Sequence, residues 1–156
     1  MTTKTSTWFE VTSKFLDHDE DGNERRITEV SVVEAQNFRE AEDRITEVYL
    51  RVQEFDVARM RRSAYGTVIL TDDSDENFYV ATVDVTIPAE PPLAEKHEKT
   101  KYLVQASSVD TAHANVREYL KDSLTENTTV GVMKSRVVAV IEKPKDEKPK
   151  TNGSKQ

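Results

Sequence analysis

The chain has 156 residues, a net charge of −7 and no cysteine, and these values exclude several classes of protein. Its length suits one domain, or two small half-domains that share a core. The lack of cysteine excludes disulfides, thiolate metal sites and cysteine catalysis. No apolar run approaches the roughly 18 residues of a membrane span, and residues 1–6 lack the apolar core of a signal peptide, so we expect a cytoplasmic protein.

The charge is unevenly distributed along the chain. Residues 142–156 contain five lysines and three acidic residues, a net charge of +2, which leaves −9 on the rest of the chain. Such an acidic body repels a phosphate backbone on average, because nucleic-acid affinity depends on neutralising phosphates. Only a local basic patch could reverse that repulsion.

The strongest pattern is an internal repeat. Residues 11–57 predict a strand, a polar hairpin, a second strand, a helix and a third strand, and residues 80–130 repeat that order. Apolar residues match at offsets that increase from 69 to 73 residues; Phe9 with Phe78 and Met60 with Met133 mark the two ends of this range. Such a small drift indicates one duplicated unit with short loop insertions.

The first unit begins with a strand at residues 8–15, which are rich in aromatic and β-branched side chains. A polar hairpin leads to a second strand at residues 27–34. Asn37 then caps a helix, and Glu40, three residues later, completes the capping pattern. The third strand starts near residue 55 and is predicted to extend to residue 70.

The second unit follows the same order. Its strands are predicted at residues 77–87, 100–106 and 129–141. Ser108 caps the second helix, and Asp110 lies in the first turn, near the positive end of the helix dipole.

Each predicted helix has one apolar face and must therefore cover one face of a sheet. The two apolar faces consist of Phe38, Ala41, Ile45, Val48 and Val52 in the first helix and Val109, Ala112, Val116, Tyr119 and Leu120 in the second. We therefore predict an α+β domain with pseudo-twofold symmetry, a mainly antiparallel sheet and two helices on one face. Whether the repeats form one six-stranded sheet or two facing sheets stays open.

Four segments follow from this pattern: a first repeat at residues 7–70, an acidic linker at 71–76, a second repeat at 77–141 and a Lys- and Pro-rich tail at 142–156. The tail has no aliphatic residue after residue 142. It cannot bury enough apolar area to offset an ordering cost of about 1–2 kcal/mol per residue, so we predict that it is disordered.

Several of these segments together resemble the family catalogued as domain of unknown function 4494. The resemblance is carried by WFEV at residues 8–11, AQNFREAEDRI at 35–45, RSAY at 62–65 and YLVQA at 102–106, and it covers residues 7–141. The family occurs in gut anaerobic bacteria and their tailed phages and has no assigned activity. The resemblance thus implies a phage or mobile-element context and an accessory role, without implying any chemistry.

A short acidic motif resembles half of a calcium-binding loop. Asp17, Asp19 and Asp21 alternate before a glycine, as the first ligands of such a loop do. The twelfth position should supply a bidentate glutamate and is Thr28 instead, and the flanking segments are strands rather than helices. A solvated hairpin explains the motif, so we predict no metal and no cofactor.

The densest basic cluster of the body lies near the end of the first repeat, with a counterpart in the second. Its candidate partner-binding residues are Arg59, Arg61, Arg62, Tyr65, Lys134 and Arg136. The repeat aligns Met133 with Met60 and Lys134 with Arg61, so strand alternation predicts both methionines in the core and the cations on an open sheet face. Such a surface is typical of single-stranded nucleic-acid binding, although cations that protect an exposed strand are commoner.

Catalysis has little support in this sequence. His18, His97 and His113 are not placed beside a catalytic partner, and there is no glycine-rich phosphate loop or Gly-x-Ser-x-Gly elbow. Four of the five residues at 72–76 are acidic, which suits a solvated linker or, alternatively, a ligand for a basic partner.

We therefore expect a non-enzymatic binding or assembly module that contacts a protein partner through an exposed sheet face. A homodimer through the sheet edges is compatible with the same pattern. Two alternatives stay open: an accessory protein that binds single-stranded nucleic acid, and a protein that sequesters a small molecule.

Overall fold

The computed structural model describes residues 1–71 and 77–145, which form nine strands and two helices. In chain order these are β1 (Thr2–Thr5), β2 (Trp8–His18), β3 (Glu24–Glu34), α1 (Phe38–Val48), β4 (Gln53–Arg62), β5 (Tyr65–Leu70), β6 (Phe78–Ile87), β7 (Lys96–Gln105), α2 (Val109–Leu120), β8 (Asn127–Lys134) and β9 (Val137–Ile141). Of the predicted linker at 71–76 and the predicted tail at 142–156, residues 72–76 and 146–156 lie outside the described residues.

The strands form two sheets. One has four strands in the order β4-β2-β3-β9, and the other has five in the order β1-β5-β7-β6-β8. All neighbouring strands are antiparallel except β3–β9 and β5–β7, which are parallel. The predicted α+β class is confirmed. The question of one sheet or two is settled as two, and the predicted placement of both helices on one face is wrong, because each helix packs on its own sheet.

The buried side chains form three clusters, one between the two sheets and one under each helix, because the central strands bury both of their faces. Side chains alternate along β2, so Trp8 packs between the two sheets while Phe9 and Val11 face α1. The two helices cover the outer faces, α1 through Ile45 and α2 through Val116. The secondary-structure elements are therefore stacked in four layers, in the order helix, sheet, sheet, helix.

The predicted third strand of each unit is in fact two strands that belong to different sheets. β4 ends at Arg62 and β5 begins at Tyr65 in the opposite sheet. β8 and β9 are separated in the same way, also by two residues. The N–H of Ser63 donates to the carbonyl of Trp8 (3.0 Å), and that of Ser135 donates to the carbonyl of Phe78 (2.8 Å). Each half thus contributes one strand to the sheet of the other.

Both predicted helix caps are confirmed. The Asn37 side chain accepts the N–H of Glu40 at 2.9 Å, and the Ser108 hydroxyl accepts the N–H of Thr111 at 3.1 Å. The prediction that Phe38 is buried is wrong. It lies in the first turn of α1 with 54% of its surface exposed.

The strand pairing corrects the predicted alignment of the two halves. Trp8 and Phe78 both lie in the core between the sheets, whereas Phe9 and Tyr79 both face a helix. β2 therefore corresponds to β6 at an offset of 70 residues, one more than predicted. The internal duplication and its pseudo-twofold axis stay predictions, which a superposition of residues 8–63 on residues 77–136 tests.

Candidate functional site

The predicted basic patch is divided between two edges of the protein. β4, which carries Arg59 and Arg61, is one edge of the four-stranded sheet. β8, which carries Lys134, leads through two residues into β9, the opposite edge of that sheet. Neighbouring strands are about 4.8 Å apart, so β2 and β3 separate the two groups of cations. The predicted open face is also covered along its central strands, where the two sheets pack together through Trp8 and Leu103.

The strand pairing also changes which residues of the patch correspond. Arg62 lies opposite Phe9 and Lys134 lies opposite Tyr79, so Lys134 corresponds to Arg62 and not to Arg61. Met133 is 68% exposed, and its predicted place in the core is wrong.

Three residues of the patch, Arg61, Arg62 and Tyr65, are engaged within the protein. The Arg61 guanidinium donates to Glu10 Oε1 from Nε (3.2 Å) and Nη2 (2.9 Å), and Arg62 lies over the Phe9 ring at 5.9 Å. Tyr65 is only 5% exposed, so its ring is not available to stack on a base. Burial raises the pKa of Tyr65, and the negative charge of Glu10 adds to this effect.

Two other predicted residues lie at the surface of these edges. Arg59 is exposed on β4, opposite Thr12. Arg136 is exposed in the connection between β8 and β9.

The calcium-like motif forms the hairpin between β2 and β3. Asp19 Oδ1 accepts the N–H groups of Asp21 (2.9 Å) and Asn23 (2.8 Å), and Asp17 pairs with Arg25 at 3.4 Å. The carboxylates of Asp17 and Asp19 therefore stabilise the turn and the ends of β2 and β3. Within residues 1–71 and 77–145, no three His, Asp or Glu side chains are placed to hold a metal ion.

Strand β1, which the sequence pattern did not predict, covers the outer edge of β5. The two strands pair antiparallel, with Thr2 opposite Leu70 and Thr5 opposite Thr67. Just beyond β1, the carbonyl of Gly66 accepts both the N–H of Ser6 (3.0 Å) and the indole N–H of Trp8 (3.2 Å). The N-terminal segment thus behaves as an added edge strand.

Buried Glu34 anchors this segment. Its carboxylate accepts hydrogen bonds from the Ser6 hydroxyl, the Lys4 ammonium and the backbone N–H of Lys143, each at 2.8 Å. Burial alone would raise the pKa of Glu34, but the hydrogen bonds from Lys4, Lys143 and Ser6 outweigh burial and hold it below its usual value. Glu34 therefore joins β1 to the chain that leaves β9.

Strand β9 has the same position in its sheet that β5 has in the other. β9 runs parallel to β3, as β5 runs parallel to β7, yet no strand of the described chain pairs with its outer edge. The residues that follow these two strands also make corresponding contacts. After β5, the N–H of Thr71 donates to Gln105 Oε1 (3.0 Å), and after β9, the N–H of Lys143 donates to Glu34. The outer edge of β9 is the feature that we take as the candidate site.

A pocket borders each face of the β9 edge. A groove of about 590 Å³ lies on the face toward the five-stranded sheet, lined by Leu70, Thr71, Asn77, Phe78, Gln105, Val138, Ala139 and Val140. A smaller pocket of about 260 Å³ lies on the face toward α1, lined by Arg44, Glu47, Val48, Ile141, Glu142 and Pro144. Val138 has no partner residue on β3, because it forms a bulge between the paired residues Val137 and Ala139, and it is 47% exposed.

The fold and this edge define an α+β protein with a short, apolar edge strand between two surface pockets. The chain matches the family model described as Domain of unknown function (DUF4494) over residues 7–143, and it belongs to this family. The predicted family resemblance is thus confirmed. No curated protein matches the chain, and no solved structure matches it. Neither α1 nor α2, the helices of the described chain, is long and apolar enough to cross a membrane.

Proposed function

We propose that the protein is a non-enzymatic binding module that captures an extended segment of a protein partner by adding it as a strand to the outer edge of β9. The observation that carries the proposal is this edge, which no strand within residues 1–71 and 77–145 covers, with a pocket on each face. In strand addition, main-chain hydrogen bonds supply affinity, and pockets on the two faces select alternate side chains.

β1 serves as an internal example of the expected geometry. The bond from the Ser6 N–H to the Gly66 carbonyl directs the Gly66 backbone toward β1, and strand alternation then directs Val68 toward Lys4. Val138 and Val140 hold the corresponding places in β9. A captured segment is therefore expected to run antiparallel to β9 and to bond with these two residues.

The alternative of single-stranded nucleic-acid binding has less support. Its cations are divided between two edges, Tyr65 is buried, and Arg61 is paired with Glu10. The phage or mobile-element context and the cytoplasmic location remain part of the proposal and rest on the sequence alone. A homodimer that pairs β9 with β9 of a second copy would use the same edge.

Titration of the ¹⁵N-labelled full chain with a capped octapeptide that alternates Val and Thr tests strand addition. We expect chemical-shift changes concentrated on residues 137–141 and on the lining of the two pockets. Shift changes spread over other surfaces, or no change at millimolar peptide, would contradict the proposal.

A matched pair of variants locates the binding edge. Val138→Pro introduces a residue that cannot donate to a ladder and should abolish the changes. Val130 is a bulge residue on β8, another edge strand, and is 51% exposed, so Val130→Pro is the control and should bind the peptide as the wild type does. Equal loss in both variants would point to a fold defect, which thermal denaturation of each variant would reveal as a lowered midpoint. Unimpaired binding by folded Val138→Pro would overturn the assignment of the edge.

A further inference from the structure

A second surface, away from β9, places an exposed aromatic ring beside a groove between α1 and the edge strand β4. Phe38 begins α1 with 54% of its surface exposed, and its ring meets that of Phe9 edge-on at 5.0 Å between ring centres. The α1–β4 groove has a volume of about 710 Å³ and is lined by Phe38, Arg39, Glu42, Asp43, Val57, Ala58, Arg59 and Met60. Phenylalanine, methionine and arginine are all enriched in surfaces that bind another protein.

The two walls of the α1–β4 groove carry opposite charges. The helix wall has Arg39 and an acidic pair, Glu42 and Asp43, whereas the strand wall has Arg59. All four side chains are exposed, and none forms an ion pair with another residue of 1–71 or 77–145. Each wall therefore has a charge that an opposite charge from outside can pair with.

The charged residues next to the groove keep this contrast. Arg61 is bound by Glu10, so this pair adds no net charge to the strand wall. Asp56 lies opposite Lys14 of β2 in the strand register, which balances its charge as well. Arg62, at the end of β4, adds positive charge to the strand wall.

The opposite charges lie at about the same level along the groove. α1 runs antiparallel to β4, because short connections join it to β3 and β4, which both pair antiparallel with β2. Phe38 contacts Phe9, which lies opposite Arg62, so the start of α1 lies near the end of β4. The acidic pair follows Phe38 by about 6–8 Å along the helix, and Arg59 precedes Arg62 by about 10 Å along the strand.

We infer that the α1–β4 groove is the interface of a homodimer, in which Phe38 of each copy enters the groove of the other and Arg59 of each copy pairs with the acidic pair of the other. A twofold axis along the groove sets α1 of one copy against β4 of the other, so one surface supplies both complementary walls. Charges of both signs on one surface favour a second copy over a partner of a single charge sign. β4 and β9 are opposite edges of the four-stranded sheet, so this dimer leaves the β9 edge accessible.

Sedimentation equilibrium of the full chain tests the dimer. We expect a monomer–dimer equilibrium at micromolar concentration, and Phe38→Asp should raise the dissociation constant at least about tenfold. Leu124, in the loop after α2, is fully exposed, so Leu124→Asp is the matched control and should dimerise as the wild type does. A wild-type chain that is monomeric at millimolar concentration, or equal effects of the two variants, would overturn the inference. A dimer that survives Phe38→Asp and is lost in Val138→Pro would also overturn it, by assigning the interface to β9.

Complementary charge reversals separate specific pairing from a defect of the fold. Arg59→Glu, or Glu42→Lys together with Asp43→Lys, sets like charges against each other, so each chain alone should be monomeric. In an equimolar mixture both contacts again join opposite charges, and we expect a heterodimer within about tenfold of the wild-type affinity. Glu95→Lys with Glu98→Lys makes the same change in net charge in and before β7, and its mixture with Arg59→Glu should leave the latter monomeric. Equal association in the two mixtures, or no heterodimer in the first while circular dichroism shows both chains folded, would overturn the inference.

Discussion

Replacement of Glu34 tests whether the covered edge is held as the structure indicates. Glu34→Ala removes the acceptor for Ser6, Lys4 and Lys143 at once. Glu34→Gln removes the charge but keeps a side-chain oxygen that can accept the N–H of Lys143. Gln105 shows that glutamine can make this contact, because it accepts the N–H of Thr71 at the corresponding place.

The expected losses of stability follow from these contacts. A hydrogen bond to a charged group contributes about 1.5–3 kcal/mol, whereas an exposed ion pair contributes at most about 1 kcal/mol. The Lys4 side chain is about one-third exposed, so we assign its ion pair with Glu34 the contribution of an exposed pair, at most about 1 kcal/mol. We therefore expect the free energy of unfolding to fall by about 2–3 kcal/mol in Glu34→Ala and by about 1 kcal/mol in Glu34→Gln.

Urea denaturation followed by fluorescence of Trp8, the one tryptophan of the chain, measures both losses. The pKa of Glu34 is lower in the folded protein than its usual value of 4.5. The stabilising effect of the carboxylate is therefore complete above that value and is lost as the pH falls through the folded-state pKa. The difference between the wild type and Glu34→Gln should disappear in acid. Equal stability of Glu34→Ala and the wild type at neutral pH would refute the reasoning.

Three further changes have expected outcomes. Asn37→Ala removes the cap of α1 and should cost about 1 kcal/mol in urea denaturation; an unchanged midpoint would show that the cap is dispensable. Arg61→Ala breaks an exposed pair with Glu10 and should change stability by no more than about 1 kcal/mol, so a larger loss would give this cation a structural role. Burial and a hydrogen bond to Glu29 raise the pKa of Tyr49 to about 12 from its usual 10.0. The contribution of Tyr49 to stability is thus complete below pH 10 and is lost as the pH rises toward 12, and Tyr49→Phe should reduce this alkaline decline; an identical decline in the variant would contradict the shift.

The sequence predicts the elements that depend on local chemistry. Asn37 and Ser108 mark both helix starts because a capping side chain acts within three residues of its own position. Ala41, Ile45, Ala112 and Val116 mark the buried helix faces because their spacing follows the helical period.

The sequence does not predict which strands pair and which elements pack against each other. The chain changes sheets at Ser63 without an interruption of its strand-like pattern, so one strand was predicted where two exist. β1 consists of four polar residues, three of them exposed, and has no apolar alternation from which to predict it. The sequence does not predict the candidate site at β9 for the first of these reasons, since residues 137–141 continue the strand-like pattern of β8 and are predicted as part of one longer strand.

Amide hydrogen exchange of Val140, compared with that of Val68, tests most directly whether the β9 edge is free to accept a strand. We expect that in the free protein the Val68 amide, which faces β1, exchanges slowly and that the Val140 amide exchanges rapidly. Saturation with the octapeptide that alternates Val and Thr should slow exchange at Val140 about tenfold or more and leave Val68 unchanged. Slow exchange at Val140 in the free protein, or unchanged exchange while the peptide is bound, would contradict the account.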